Sequence, residues 1–306
     1  SRLALATLGA AVICAPAAAQ RRDKALEAAL LAHVTELASD AYDGREPGTE
    51  GEAKTLRYIG RQWFDLGLES GTNDPGNAWF APVTLVAREP ASSRAAFSRR
   101  GRPQFVPPGS TIVFTSGKRT LLNTAPLLFV GRGEIPIGRA ELAGRVALLL
   151  DGTAEGSQRQ DALLKAGAAA VLTVLDGERK LDQIRSRRSR SGYALATQEL
   201  GGDLEAYITA EGFESALAGG PLDLAALKAL ADRPGFSPQV LDLSVTLEAT
   251  TRETRINTHN VIGRLPGRRP DSGAVLLLAH WDHFGECAAA PAEDLICNGA
   301  IDNASG

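Results

Sequence analysis

Two short runs, VALLL at 146–150 and AVLTVL at 170–175, are apolar almost throughout and are bounded by Gly and Asp. A strand reads this way when both of its faces are covered, which is the situation of a sheet packed between helix layers. The stretch DALLKAGAA between them has helical spacing, so the two runs and their connection predict a β–α–β unit. The same texture begins near Asn123 with APLLFVGRG and continues through DLEAYITAEG and LAALKALADR. The chain is therefore expected to be α/β. Further on, VLDLSVTLEAT at 240–250 alternates strictly, and HNVIGRLPG at 259–267 ends in a Pro-Gly turn. A last apolar run, AVLLLA at 274–279, is expected to be one more buried strand, carrying His280 and Asp282 at its end.

Upstream, KALEAALLAHVTELASD and EAKTLRYIGRQWFDLG have apolar residues at helical spacing on either side of the polar loop AYDGREPGTEG. Gly67 suits the end of the second helix, where a left-handed residue closes the last turn. Between 79 and 117 the pattern is irregular, with only short strand-like pieces such as FAPVTLVA and STIVFTS.

With 306 residues, 44% of them hydrophobic, the chain can bury two ordinary cores. A formal charge of -3 provides no broad basic field, so nucleic acid is not expected as a partner. The RSRRSRSG run at 185–192 is read as a solvated loop rather than a polyanion site. Arg2, an apolar stretch from Leu3 to Ala15 and the small residues Ala17 to Ala19 read as an export signal with cleavage after Ala19. A periplasmic or secreted protein is expected, with no stable membrane partner; retention of the segment as an anchor is the minor alternative. Cys14 does not read as a lipidation site, because Ile13 stands where a small residue is needed. The absence of Met at position 1 implies that the natural start lies elsewhere.

Removal of the signal leaves Cys287 and Cys297, and an exported protein lives where disulfides persist. Their pairing would close the loop ECAAAPAEDLIC. The alternative, a thiolate metal ligand, suits a closed structural site better than a hydrolytic one.

His280, Asp282 and Asp302 are the residue types of a catalytic metal site, in which imidazole and carboxylate bind the ion and one position stays open for water. One His and one Asp do not complete such a site, so the chain reads as a fragment. His283, close to His280, is a candidate second ligand; Trp281 is read as packing beneath the centre in preference to lining a pocket, and His259 as structural.

With those residues in place, NVIGRLPG, AVLLLAHWDHFG and NGAIDNASG together resemble the M28 family of zinc peptidases. The segment LASDAYDGREPGTEGEAKTLRYIGRQWFDLGL looks like the opening of the same family. APLLFVGRGEI, LAGRVALLLDG and KAGAAAVLTV are similar to the protease-associated domain that some members insert. The resemblance implies an incomplete mixed-sheet zinc-exopeptidase catalytic domain of phosphorylase/hydrolase-like fold, carrying an inserted protease-associated α/β domain. The implied division is a signal peptide at 1–19, the first part of the peptidase domain at 20–117, the insert at 118–252 and the start of the catalytic core at 253–306.

The resemblance further implies two divalent metal ions, zinc first among the candidates, with His280 binding one and Asp302 bridging both. Asp282 would serve catalysis by orienting the imidazole, and His283, matching a family position that does not ligate, would lie beside the centre or at its rim. The Asp302–Asn303 bond matches the family's non-proline cis peptide. The Asp43, Arg45 and Glu46 loop would brace the catalytic domain. The expected function is that of an exported exopeptidase, an aminopeptidase, acting on peptides through metal-activated water. The family's general-base Glu and its remaining ligands follow the D-N segment, and none stands between Asp302 and Gly306. The chain as given is thus expected to lack them and to be inactive by itself. The alternatives are a receptor-like binding module on the same fold and a glutaminyl-cyclase-like acyltransferase; the sequence leaves the oligomeric state open.

Overall fold

The computed structural model describes residues 23–133, 135–152, 156–188, 192–198, 201–269, 273–288 and 291–306. The expected export signal, its cleavage point and Cys14 lie outside them. Two units emerge, one made of the chain up to Ala81 together with Val261–Gly306, the other of Pro82–Asn260. The boundary expected at 117/118 falls inside the second unit.

In the first unit, α1 (Lys24–Leu37) starts at Asp23, whose carboxylate accepts from the amides of Ala25 and Leu26 and so satisfies two orphan donors of the first turn. A 3-10 turn (Asp40–Arg45) and α2 (Glu50–Asp65) follow. Gly67, at φ 81, ends α2 as expected. The short strands β1 (Glu69–Ser70) and, near the end of the chain, β11 (Gly263–Arg264) pair antiparallel.

The second unit holds β2 (Phe80–Arg99), β3 (Arg102–Gln104), β4 (Thr111–Thr115), β5 (Arg119–Phe129), α3 (Arg139–Leu142), β6 (Val146–Leu150) and α4 (Gly156–Ala166). After these come β7 (Ala170–Leu175), α5 (Leu181–Arg188), β8 (Gly192–Leu195), β9 (Leu204–Thr209), α6 (Ala210–Leu217), α7 (Leu224–Ala231) and β10 (Gln239–Val261). The sheet runs β3-β2-β10-β5-β6-β7-β9-β4, with β8 on β2. β5, β6, β7 and β9 are parallel neighbours, whereas β10 on β5 and β4 on β9 are antiparallel. The fold is mixed α/β with a mixed sheet, as the apolar runs imply.

Those runs behave as their pattern predicts. Val146, Leu148 and Leu150 join one core with residues of α6 and α7, while Ala147 and Leu149 face the other way, into a core with Leu142 of α3 and Leu163 of α4. Burying a Val or Leu side chain contributes about 1.5–3 kcal/mol, so β6 alone anchors both layers. Thr173, the polar member of β7, is fully buried and accepts from Gln160 Nε2 at 2.6 Å; Gln160 in turn accepts from the Tyr207 hydroxyl at 3.0 Å. The hydroxyl is therefore not left unpaired in an apolar core.

Three expectations fail. Residues 80–99 form one long strand rather than irregular chain, because pairing with β3, β8 and β10 supplies the order that the local pattern lacks. Residues 185–188 belong to α5, anchored by buried Leu181 and Ile184, so that part of the basic run is helix and not loop; Ser189 to Ser191 lie outside the described residues. Residues 274–279, expected as a buried strand, form no regular element, and Val275 to Leu278 are exposed. Among the described residues no strand pairs with them, and without a ladder and a covering layer an apolar run has neither hydrogen-bond partners nor a core.

Candidate metal centre

The centre lies in the first unit and is assembled from three loops. The first is the DAYDGREPG turn. Asp43, Gly44 and Arg45 have φ values of 48, 63 and 54, a left-handed succession in which Gly44 has the critical place. A Cβ there would stand 2.6 Å from Gly285 O and 2.8 Å from Cys297 O, so any larger residue would push the turn off its neighbours. The amides of His283 and Gly285 donate to Arg45 O at 3.2 Å and Gly44 O at 3.0 Å, joining this turn to the second loop.

The third loop is fastened by the expected Cys287–Cys297 disulfide, with Cα atoms 5.6 Å apart. Around it, Glu286 and Ile296 form an antiparallel bridge and Cys297 N donates to Gly285 O at 2.9 Å. Asn298 reaches back across the unit, its Nδ2 donating to Ala38 O at 2.8 Å and Asp40 Oδ1 at 2.7 Å. Gly299, at φ 59, passes so close to the His283 ring that a Cβ would sit 2.5 Å from it. Asp302 follows, and its peptide bond to Asn303 is cis, as the resemblance implies.

The structure brings the named site residues together. His280 Nδ1 faces Asp282, 3.2 Å from its carbonyl oxygen and 3.4 Å from Oδ1, and His280 Nε2 faces Asp302 Oδ1 at 3.3 Å. His283 approaches the other Asp302 oxygen, Nδ1 to Oδ2 being 3.6 Å, and its side chain is only 11% exposed. One carboxylate thus lies between two imidazoles. Burial pushes the His283 imidazole below its ordinary value of 6.5, with Asp302 opposing the shift and Arg45 adding to it. Phe284 packs against the His283 ring at 4.6 Å between centroids.

Two features of this centre were not assigned from sequence. Arg45 is buried, and its guanidinium donates to four backbone carbonyls: Trp281 O at 2.9 Å, Leu37 O at 2.5 Å, Asn298 O at 2.7 Å and Gly299 O at 2.9 Å. The resemblance implies a bracing role for its loop, but no periodicity shows which atoms Arg45 holds. Asn298 is the other. Charge beside glycines in DGREPG is the available signal for Arg45, and a lone Asn before Gly gives none.

The donor set fits a divalent ion in part. Two ligands roughly 2.0–2.1 Å from a tetrahedral zinc stand about 3.3 Å apart, the separation found between His280 Nε2 and Asp302 Oδ1. In the tautomer with Nδ1–H directed at Asp282, Nε2 presents a lone pair to the Asp302 carboxylate, an arrangement that a cation between them would stabilise. Among the described residues no group of three or more His, Cys, Asp or Glu is arranged to hold a metal ion.

The chain is thus a mixed α/β protein with an imidazole–carboxylate pair placed as two ligands of a divalent ion. Residues 260–306, which contain that centre, match the model of Peptidase family M28, so the resemblance read from the sequence holds for this segment. Similar solved structures include an aminopeptidase from Aneurinibacillus sp. strain AM-1, 20% identical over 90% of this chain and 55% of that one, with a TM-score of 0.44. A peptidase M28 precursor from Shewanella amazonensis SB2B is 15% identical over 92% of this chain and 61% of its own, with a TM-score of 0.36. A zinc aminopeptidase from Bacillus subtilis is 17% identical over 90% of this chain and 53% of its own, with a TM-score of 0.32. The chain spans only 53% to 61% of the length of these three proteins. No curated protein matches the sequence.

Proposed function

We propose that the protein is an exported, zinc-dependent exopeptidase of the M28 type, an aminopeptidase that hydrolyses peptide bonds at chain ends. The observation that carries the reading is His280 Nε2 facing Asp302 Oδ1 at 3.3 Å while Nδ1 is held by Asp282. The match of residues 260–306 to Peptidase family M28 supports it. In this reading His280 and Asp302 would be ligands to two divalent ions, zinc first among the candidates, and Asp282 would fix the imidazole tautomer. A bound divalent ion of this type polarises the scissile carbonyl and lowers the pKa of water.

The chain's own residues do the positioning. In this reading the main-chain carbonyl of Asp282 accepts from Nδ1–H at 3.2 Å, with Oδ1 3.4 Å away, and so keeps the Nε2 lone pair directed at the centre. His283, kept neutral by burial, borders the second Asp302 oxygen without adding positive charge there. The disulfide holds the Asn298–Asp302 stretch beside the turn at Arg45 and supports an oxidising destination, in line with the export reading of residues 1–19. Residues 118–252, within the second unit, are read as the protease-associated insert that some family members carry.

The test uses the intact protein and its His280→Ala and Asp302→Asn variants. Metal content is measured by mass spectrometry, and cleavage is compared between amino-acid anilides and their N-acetylated forms. The reading expects retained divalent metal, cleavage of the free-amino substrates alone, and loss of both properties in the variants. A folded, metal-free protein, or cleavage that survives both substitutions, would overturn it; metal without cleavage would favour the receptor-like alternative.

A further inference from the structure

Arg45 is fully buried, yet its guanidinium forms hydrogen bonds to four main-chain carbonyls on three stretches of chain. Trp281, one of the four, stands between His280 and Asp282. Asn298 and Gly299 stand just before Asp302, and Leu37 ends α1. The backbone of Arg45 adds a fifth link, because its carbonyl accepts from His283 N. The two loops that supply the His280 and Asp302 side chains are therefore tied to one rigid planar fork, whose donors have fixed directions. Its positive charge is kept near Asp282 and Asp302, whose carboxylates oppose the effect of burial on it.

We infer that Arg45 is a positioning residue: by clamping Trp281 O, Asn298 O and Gly299 O it sets the His280–Asp302 separation and thereby the affinity of the centre for a divalent cation. This rests on the peptidase reading for the identity of the ligand. A metal centre needs its donors held within roughly half an ångström, and loss of a supporting contact outside the ligands weakens metal binding about 10- to 100-fold. Lysine would keep the charge but presents its three donors from one nitrogen, so it cannot span the same carbonyls. The fork, and not the charge, is the operative feature.

The test compares the intact wild-type protein with R45K and R45Q. Zinc and cobalt dissociation constants are measured by chelator competition, the cobalt visible spectrum is recorded, and folding is followed by circular dichroism and thermal melting. Both variants are expected to bind zinc about 10- to 100-fold more weakly and to show an altered cobalt spectrum, with R45K no closer to wild type than R45Q. Variants that melt earlier but keep the wild-type dissociation constant and spectrum would make Arg45 a structural brace only and overturn the inference. Full recovery by R45K would overturn it as well, by assigning the effect to charge. A wild-type protein that binds neither ion fells the peptidase reading and this inference together, whereas normal wild-type binding with unchanged variants fells this inference alone. Should the variants fail to fold, the wild-type protein decides: hydrogen exchange at Arg45 Nε, followed by nuclear magnetic resonance, should slow at least about tenfold on zinc binding, and an unchanged rate would contradict the clamp.

Discussion

Residues 146–150 read VALLL and residues 274–278 read AVLLL, yet they have opposite fates. Val146 and Leu148 to Leu150 are wholly inaccessible to solvent, whereas Val275 and Leu277 are 90% and 88% exposed. Composition does not separate the two. β6 has β5 and β7 hydrogen-bonded on its two sides and helices over both faces, while 274–278 has no strand partner among the described residues. An apolar run is a candidate strand; its neighbours decide whether it becomes one.

The contrast is sharpest in the core. Leu148→Ala should destabilise the 82–260 unit by about 2–5 kcal/mol in urea unfolding, because it opens a cavity between rigid layers. A loss under 1 kcal/mol would mean that β6 is less constrained than its burial indicates. In the first unit the covalent tie carries more of the order. Replacing Cys287 and Cys297 with Ser should cost that unit about 2–3 kcal/mol by the chain-entropy argument, measured by urea denaturation.

Tyr42 gives the first unit a polar signature. Burial, followed by its hydrogen bond to Glu36, pushes the Tyr42 hydroxyl up to about 12. The neutral phenol is favoured in the folded state, so its contribution is complete below the unfolded value near pH 10 and is lost as pH rises through about 12. Urea midpoints between pH 8 and 11 should decline more steeply in wild type than in Tyr42→Phe, and parallel curves would contradict this. The smallest effect closes the comparison with the core. Leu277→Ala should change the stability of the described chain by no more than about 0.5 kcal/mol, since an exposed side chain leaves no cavity.

The sequence made the second unit legible where burial follows from local pattern: β6, β7 and the helix between them lie where apolar runs, Gly and Asp place them. It did not reveal β2, whose order comes from distant partners, nor the exposure of 274–279, which depends on the absence of such partners among the described residues. At the centre, His280, Asp282, Asp302 and the cysteine pair could be named from motif and count. The clamp at Arg45 could not, because its partners are carbonyls of residues 236 to 254 positions away, and a backbone acceptor leaves no mark on residue type.

The proposed function requires the His280–Asp302 pair to belong to a metal-dependent peptidase centre. Hydrolysis of leucine anilide by the intact protein, followed before chelation, after chelation and after return of zinc, tests it most directly. Chelation is expected to abolish turnover, and zinc to restore it in wild type but not in His280→Ala. Turnover that persists through chelation, or that zinc restores equally in His280→Ala, would contradict it.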